Sequence, residues 1–290
     1  MNGIVIIDKP EGWTSHDVVG KLRGILREKR IGHGGTLDPM ATGVLPVFVG
    51  RATRAVEFCE NAVKEYVAHL RLGVITDTQD ITGNILEERE HSITEDELIK
   101  ILPEFMGAQS QIPPMYSAVK VQGKKLYELA RRGVEIERKP REITIHSLKL
   151  EGMSEGDYIL RVVCSKGTYI RTLCNDIGEK LGCGGCMSYL RRTGAGSFTL
   201  ADTVTLEQVQ KAKENGTLEN ILRPVDSLFT EYPAVTITGK NVSICLNGGA
   251  FPMENTADGR YRVYNEEGAF LMVGCCEDGT MKTVKSFFEV

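Results

Sequence analysis

From Gly32 to Pro46 the chain reads GHGGTLDPMATGVLP, the densest cluster of unusual residues in the sequence. Three glycines precede a single acidic residue, Asp38, and a proline follows it. Glycine and the Asp-Pro pair are typical of turns, so residues 32–43 predict a loop. The apolar residues 45–49 then predict a buried strand. A lone carboxylate on such a loop fits a catalytic group, but a plain turn has the same composition.

Strands and helices surround this loop without a regular βαβ spacing. Periodicity and capping residues predict strands over 4–7, 45–49, 64–72, 143–150 and 158–164, and helices starting at a Ser15 cap, running from Thr94 to about Phe105, running from Thr168 to Leu181, and starting at Thr205. In the strand over 64–72, alternation places Tyr66, Ala68 and Leu70 on one face. This mixture predicts an α+β fold rather than a doubly wound sheet.

The chain has 290 residues, which is enough for two domains. Beyond Phe229 the sequence changes to short strand-like runs separated by Gly and Asn turns, as in Asn247-Gly248. We therefore expect a main body over 1–229 and a small β-rich domain over 230–290. Within the body, Pro113-Pro114 interrupts regular structure and a basic segment follows, so 111–141 predicts a flexible insert that becomes ordered on binding.

The charge of the chain is unevenly distributed. The formal net charge is −4 and the pI is near 5.9, which alone argues mildly against a nucleic-acid partner. Residues 120–141, however, carry eight basic side chains against three acidic ones, and residues 21–30 carry five against Glu28. Residues 230–290 carry five basic side chains against eight acidic ones. The two basic segments support a phosphate-rich partner, although a charge run also occurs on a solvated face.

Several protein classes are disfavoured by what the sequence lacks. It has neither a glycine-rich loop ending in Gly-Lys-Ser/Thr nor a Gly-x-Gly-x-x-Gly segment, which argues against a nucleotide hydrolase or a dehydrogenase. Without a long apolar run or a signal peptide, we expect a cytoplasmic protein that makes no membrane contact. Cys183 and Cys186 form one CxxC pair, which indicates buried thiols more strongly than a zinc or redox site.

Six segments, in matching order, resemble motifs of the TruB family of tRNA pseudouridine synthases. They are Asp8–Ser15 (DKPEGWTS), Gly32–Pro46, Lys64–Tyr66 (KEY), Ile112–Lys120 (IPPMYSAVK) followed by Gly123, Tyr127 and Ala130–Arg131, Cys164–Leu173 (CSKGTYIRTL), and Tyr189–Thr193 (YLRRT). The resemblance covers about residues 1–230. It implies a pseudouridine synthase fold, a mixed, mainly antiparallel sheet flanked by helices, with a PUA-like domain over 230–290. One departure is Gly34, which stands where many members carry a hydroxyl residue.

The resemblance also implies the reaction, which is isomerisation of one uridine to pseudouridine in the T-arm loop of tRNA, at position 55. The uridine is flipped into a pocket, its N1–C1′ bond breaks, and C5 joins C1′ without cofactor or metal. Asp38 would be the essential carboxylate, as nucleophile at the sugar or as the base that starts elimination. Arg171 would pair with it and favour its ionised form. Tyr66 would stack on the uracil and could accept a proton at the sugar.

Further residues are implied to bind the RNA. Tyr169 and Leu190 would line the uracil pocket, where stacking holds a base without identifying it. His33 resembles a residue that occupies the space vacated by the flipped base. Lys9 would contact an RNA phosphate or stabilise the catalytic loop. The insert would clamp the T arm through phosphate contacts, which add affinity but little sequence information. Its basic residues are Lys120, Arg131, Arg132 and Arg138.

Three other interpretations stay open at this point. A non-catalytic RNA-binding protein or tRNA-folding chaperone would use the same basic insert but would not need an ionised Asp38 beside Arg171. A thiol or zinc protein would depend on Cys183 and Cys186. Within the superfamily, a guide-dependent synthase would work inside a larger particle. The compact chain with its own insert favours an enzyme that acts alone, and the resemblance implies a monomer.

Overall fold

A computed structural model describes residues 1–117, 119–121 and 123–288, with Lys120 and Lys125 described by their backbone alone. The strands of the main body are β1 (Gly3–Lys9), β2 (Ile31–His33), β3 (Thr42–Val49), β4 (Lys64–Leu72), β5 (Val74–Thr76), β6 (Ile85–Glu88), β7 (Gly107–Gln111), β8 (Lys120–Val121), β9 (Lys124–Lys125), β10 (Arg141–Ser154), β11 (Asp157–Cys164), β12 (Gly185–Ala195) and β13 (Phe198–Thr199). The C-terminal strands are β14 (Ala234–Thr236), β15 (Phe251–Pro252), β16 (Gly259–Tyr264), β17 (Phe270–Glu277) and β18 (Thr280–Ser286). The helices are α1 (Ser15–Leu26), α2 (Val56–Glu60), α3 (Glu95–Ile101), α4 (Leu126–Ala130), α5 (Ile170–Lys180), α6 (Leu206–Glu214) and α7 (Gly239–Leu246).

The central element of the described residues is a nine-stranded sheet. Its order is β1-β3-β12-β4-β11-β10-β7, with β2 also paired to β3 and β13 to β12. Neighbouring strands in it run antiparallel except β12 and β3, which are parallel. In β4 the buried positions include Ala68, Leu70 and Leu72, as the period-two pattern predicts. The predicted α+β fold with a mixed, mainly antiparallel sheet is confirmed.

Helix α1 begins where predicted, but Ser15 is not its cap. The Thr14 hydroxyl accepts a hydrogen bond from the Asp17 amide, and the Asp17 carboxylate accepts one from the Thr14 amide, which makes a capping box. Ser15 is instead the first helical residue and is buried. Its hydroxyl is engaged with the backbone of Leu37, so the prediction of a Ser15 cap was wrong.

Two other predicted boundaries need adjustment. The glycine-rich loop is shorter than expected, because residues 31–33 pair with β3 as a strand and Thr42 already belongs to β3. Helix α3 ends at Ile101, and a 3₁₀ turn continues the chain to Phe105. The caps predicted at Thr94 and Thr205 are both present as capping boxes.

Of the three apolar clusters in the described residues, two involve the large sheet and the third lies within the C-terminal part of the chain. On one face of the large sheet, buried residues of α1, α3, α5 and α6 form the main core with β1, β3, β4, β10, β11 and β12. The second cluster joins β1 and β3 to the C-terminal part of the chain and includes Ile4, Ile6, Phe48, Phe229, Val273 and Phe287. The C-terminal sheet, of order β14-β16-β17-β18-β15, confirms the expected β-rich character. Helix α7 beside it was not predicted.

The insert over 111–141 contains more secondary structure than expected. Strands β8 and β9 pair, and α4 follows them with Leu126 fully buried. Whether the segment becomes ordered only on binding stays a prediction. Among the described residues, no helix combines the length and apolarity needed to cross a membrane.

Candidate active site

Residues 34–41 connect β2 to β3 and carry Asp38; we call them the candidate loop. It is held on both sides of Asp38. The Ser15 hydroxyl accepts from the Leu37 amide at 2.9 Å and lies 3.2 Å from the Leu37 carbonyl. The Lys9 ammonium donates to the Pro39 carbonyl at 3.2 Å. Because Leu37 and Pro39 are the immediate neighbours of Asp38, these bonds fix the backbone that presents the carboxylate.

The position of Lys9 bears on both of its predicted roles. Its side chain is fully buried, and its ammonium also donates to the carbonyls of Pro10 and Trp13 at 2.9 and 2.5 Å. Burial lowers the pKa of Lys9 to about 8, while the attraction of Asp38 acts in the opposite direction. The ammonium is enclosed by carbonyls in the free protein, so the predicted contact of Lys9 with RNA stays a prediction without support from its surroundings. Its alternative role, stabilising the loop, agrees with the bond to Pro39.

Arg171, in the first turn of α5, connects Asp38 to a second carboxylate. Its Nε lies 2.9 Å from Oδ2 of Asp38, and its Nη1 lies 3.7 Å from Oδ2 of Asp80. The same guanidinium donates to the carbonyls of Thr78 and Tyr116 at 3.2 and 2.8 Å. The Arg171 side chain is 5% exposed and that of Asp38 is 36% exposed. A buried guanidinium, hydrogen-bonded to two backbone carbonyls, is thus paired with a carboxylate that remains open to solvent.

Opposing effects act on the pKa of Asp38. Burial is the largest effect and raises the pKa, and the negative charge of Asp80 raises it further. Arg171, by attraction and hydrogen bonding, and Lys9, by attraction, lower the pKa. The result is a pKa above the ordinary aspartate value. Since about a third of the side chain is exposed, water moderates the effect of burial. Arg171 is the strongest influence that favours the ionised form.

Tyr66 and Arg192 lie opposite each other on β4 and β12 and share one face of the sheet. Burial raises the pKa of the Tyr66 phenol, and the charge and hydrogen bond of Arg192 lower it. Arg192 is 1% exposed. Its Nε donates to the Val44 carbonyl at 2.6 Å, and its Nη2 donates to the Gly35 carbonyl at 3.2 Å. One buried cation therefore contacts the phenol, the candidate loop and the strand that follows it.

His33 lies at the end of β2, just before the candidate loop. Its ring is edge-on to that of His16, with 6.3 Å between centroids. Burial lowers its pKa to about 4, and nearby His16 and Arg192 act in the same direction. Among the described residues its buried Nδ1 has no hydrogen-bond partner. The imidazole is therefore neutral at pH 7 and keeps one unsatisfied polar atom.

Tyr169 and Leu190 are placed on different elements. Tyr169 directly precedes α5, and its backbone exchanges two hydrogen bonds with the Gln111 side chain, at 2.8 and 3.1 Å. Leu190 is buried on β12 opposite Ala68. Because it precedes Arg192 by two residues, it shares the face that carries Tyr66. The structure thus brings Leu190 and Tyr66 onto one surface.

The basic residues of the insert differ in their surroundings. Arg131 and Arg132 are exposed. Arg138 is half-buried and pairs with Glu135 at 2.9 Å. The side chain of Lys120 lies outside the described residues, so its predicted RNA contact stays a prediction. Arg131 and Arg132 are therefore more accessible than Arg138.

Sequence reasoning missed Asp80 and gave Arg192 no role. Asp80 accepts hydrogen bonds from the hydroxyls of Thr78 and Thr82, at 3.0 and 2.5 Å, so it resembles an ordinary turn residue in the sequence. A β-bridge to Met187 brings this turn beside Arg171, and no local pattern signals that contact. Arg192 belongs to the YLRRT segment already noted for its resemblance, which was the available signal.

The cysteines offer no alternative centre in the described part of the chain. Cys183 and Cys186 are both buried, and burial raises the pKa of Cys186 to about 11. Across the same residues, no group of three or more His, Cys, Asp or Glu side chains is arranged to hold a metal ion.

Comparison with solved structures identifies the class of this fold. An H/ACA RNP structure, bound to a substrate RNA containing 2′-deoxyuridine, includes a chain that matches with a TM-score of 0.74 and 25% identity, covering 99% of this chain and 85% of its own. A Cbf5-Nop10-Gar1 complex gives the same TM-score and coverage at 28% identity. The fold is that of a pseudouridine synthase.

Sequence comparison identifies the family within that class. The N-terminal domain of the TruB family pseudouridylate synthases matches residues 23–170, and the C-terminal domain of tRNA pseudouridylate synthase B matches 171–230. A tRNA pseudouridine synthase B from Clostridium kluyveri is 44% identical over 99% of this chain and 100% of its own length. One from Alkaliphilus oremlandii is 53% identical over 86% and 82%. The chain belongs to the TruB family of pseudouridylate synthases and is an isomerase.

Proposed function

We propose that this enzyme converts uridine to pseudouridine at position 55, in the T-arm loop of tRNA. The observation that carries the proposal is the 2.9 Å pair between Arg171 and Asp38, with the Asp38 carboxylate still open to solvent. The relatives named tRNA pseudouridine synthase B support tRNA as the substrate. A carboxylate held by a buried guanidinium suits a reaction at a sugar carbon, which needs neither redox change nor phosphate transfer.

The reaction is an isomerisation, so atoms balance without a co-reactant. The flipped uridine loses its N1–C1′ bond, the uracil turns, and C5 bonds to C1′. The proton at C5 leaves and N1 gains one. Asp38 attacks C1′ or removes a sugar proton, and both routes need its ionised form, which Arg171 favours. Flipping itself costs a few kcal/mol, which contacts to the uracil and flanking RNA must offset.

The side chains around Asp38 fit supporting roles. Tyr66 and Leu190 share a face of the sheet on which the flipped uracil would lie. Tyr66 stacks on the base, and stacking of this kind contributes about 1–3 kcal/mol. Tyr169 contributes to the same pocket from the start of α5. His33 is neutral at pH 7, so it can occupy the vacated space in the RNA without burying a charge.

Contacts outside the pocket position the RNA. Arg131, Arg132 and Arg138 of the insert bind phosphates of the T arm, and residues 230–290 form the PUA-like domain of a cytoplasmic enzyme that acts as a monomer. Neutralising the three arginines is expected to weaken tRNA binding and reduce its salt dependence. An unchanged salt titration would exclude the insert as a phosphate clamp.

The direct test is tritium release from an unmodified tRNA transcript labelled at uracil C5, without metal or cofactor. Wild type should release about one tritium per tRNA, and Asp38→Asn none. Asp96→Asn, an exposed acidic residue on α3, is the matched control and should behave as wild type. If neither wild type nor control releases tritium while both bind tRNA, a binding protein or chaperone is the better description. Turnover by Asp38→Asn would place the chemistry elsewhere.

A further inference from the structure

The C-terminal half of α1 and the turn after it carry cations that the candidate active site does not use. All of them are exposed: Lys21, Arg23, Arg27, Lys29 and Arg30. Between residues 21 and 30 they stand against one acidic residue, Glu28, in a chain whose formal net charge is −4. Positive charge concentrated on one face of an acidic protein marks a surface for an anionic partner.

Among the described residues these cations form no close ion pair, although Lys21 lies near enough to Glu207 to lower the pKa of that carboxyl. Other arginines of the main body lie within ion-pair distance of acids, as in Arg71–Asp157 at 2.7 Å and Arg191–Asp8 at 2.8 Å. In the part of the chain that the structure describes, no cation of the segment 21–30 has such a pair. The positive field of this face is therefore directed into solvent.

One edge of α1 leads from these cations to the candidate loop. His16 and Arg23 lie along one side of the helix, because positions seven residues apart recur on the same face, and Arg27 is the residue that caps its C-terminus. The His16 ring lies 6.3 Å from that of His33, and Arg23 donates to the carbonyl of Ile31 at 3.2 Å. At about 1.5 Å per residue, Arg27 lies roughly 18 Å along the helix from its start. The cationic face thus begins beside the candidate active site and extends away from it.

Two surface cavities flank Arg27. The first, of about 440 Å³, is lined by Arg23, Arg27, Glu28 and Lys29. The second, of about 450 Å³, lies between α1 and α6, where the cations Lys21, Arg27 and Lys213 outnumber the one acidic residue, Glu214. No heavy atom lies within 4 Å of the place that a Cβ on Gly24 would occupy, so the helix is open to close approach there. Shallow cavities lined by cations suit a phosphate with its sugar better than an apolar ligand.

We propose that this surface binds the sugar–phosphate backbone of the same RNA whose uridine occupies the candidate active site; the inference rests on the proposed function. The α1 basic face comprises Lys21, Arg23, Arg27, Lys29, Arg30 and Lys213. RNA is favoured over an acidic protein or an anionic membrane because Arg23 of this face contacts β2, which leads directly into the candidate loop where the target nucleotide would lie. The C-terminal residues 230–290 are acidic overall, so they offer less positive charge for holding RNA.

The test compares two triple variants of the full chain with equal charge change. Lys21→Gln, Arg27→Gln and Lys29→Gln together remove half of the α1 basic face. The matched control is Lys100→Gln, Lys149→Gln and Lys240→Gln, which neutralises exposed cations on α3, β10 and α7. For each protein, the Kd for an unmodified tRNA transcript is measured from about 50 to 200 mM salt. The tritium-release rate is measured separately at saturating RNA.

The α1 variant is expected to lower the slope of log Kd against log salt by about 2, since each lost phosphate contact removes about 0.7–0.9. Its affinity at low salt should fall by about tenfold, while the rate at saturating RNA stays within twofold of wild type. The control should keep the wild-type slope. Equal slopes for the α1 variant and wild type, or an equal loss in the control, would overturn the proposal.

Single variants, and the separate measurement of binding and turnover, distinguish loss of the surface from loss of the fold or of the reaction. If the triple variant unfolds, Arg27→Gln and Lys29→Gln are tested singly, and each should lower the slope by about 0.7–0.9. The binding titration does not depend on turnover. A wild type that binds tRNA through this face but releases no tritium would refute the proposed function and leave the RNA-binding surface standing. Normal tritium release together with an unchanged salt slope in the α1 variant would support the proposed function and refute the RNA-binding surface.

Discussion

Replacement of Arg192 by methionine should separate catalysis from stability. Methionine keeps most of the side-chain volume but removes the charge and the bonds to the Gly35 and Val44 carbonyls. Hydrogen bonds from a charged group contribute about 1.5–3 kcal/mol each, so the candidate loop and its following strand lose about 3–6 kcal/mol of local attachment. Against this, removing a buried cation relieves a desolvation penalty of several kcal/mol. The net change in unfolding free energy should therefore stay within about 2 kcal/mol.

Catalysis should suffer much more than stability. Without Arg192 the loop that presents Asp38 loses a contact at Gly35, and the Tyr66 phenol loses its hydrogen-bond partner. A displacement of about 1 Å in a catalytic group can reduce the rate by about 100-fold, so kcat should fall by about 10²–10³. The KM for RNA should change by less than threefold, because a residue that is 1% exposed cannot touch a phosphate.

The assay is single-turnover tritium release together with denaturant unfolding, and the neighbouring residue supplies the control. Arg191 is 30% exposed and pairs with Asp8 at 2.8 Å. A pair of this kind contributes about 0–1 kcal/mol, so Arg191→Met should keep kcat within about threefold of wild type. A kcat for Arg192→Met within threefold of wild type, or no lower than that of Arg191→Met, would show that Arg192 does not position the candidate loop.

Three other predictions follow from the site. Arg171→Gln should move the acidic limb of the pH–rate profile to higher pH, because Asp38 loses its main stabilising charge; an unmoved limb would contradict that assignment. His33 has a folded pKa of about 4 against an ordinary 6.5, so wild type should lose stability as pH falls through that window. Between pH 7 and 4.5, the free energy of unfolding in urea should fall less for His33→Gln than for wild type. Equal falls in the two proteins would count against a buried neutral imidazole. Gly34→Ser should destabilise by about 1–3 kcal/mol, since its Cβ would lie 2.8 Å from Sγ of Cys59; thermal unfolding should show partial rescue by Cys59→Ala, and no rescue would argue for another cause.

The parts of the fold that were predictable depend on local chemistry. The alternation in β4 and the threonine caps of α3 and α6 are determined by residues within a few positions, so they can be recognised from a short window. Ser15 shows the limit of this approach. As a hydroxyl residue at the start of a helix it resembles a cap, but the adjacent Thr14 fills that role. The Ser15 hydroxyl instead bonds to Leu37, and only the tertiary fold brings the two together.

The candidate site likewise contains residues that the sequence predicted and residues that only the tertiary fold brings into it. Asp38, Tyr66 and Arg171 were predicted because each lies in a segment that resembles a family motif. Asp80 was not, because its turn has the composition of an ordinary surface turn and approaches Arg171 only through pairing with β12. The burial of Lys9 was not predictable for a related reason. A lysine at the end of a strand is usually solvated, and its burial depends on the carbonyls that three separate residues bring around it.

Three buried cations around the candidate loop share a feature that bears on its chemistry. In the described structure Lys9, Lys64 and Arg192 are hydrogen-bonded to backbone carbonyls, and none lies within ion-pair distance of a carboxylate. Carbonyl dipoles satisfy the donors without cancelling their charge, whereas a carboxylate partner would neutralise it. The uncancelled charge of Lys9 and the charge of Arg171 act on Asp38, and that of Arg192 acts on Tyr66, in each case favouring the ionised form against burial. The loop can therefore enclose its carboxylate against a flipped nucleotide while still favouring the anion that the reaction requires.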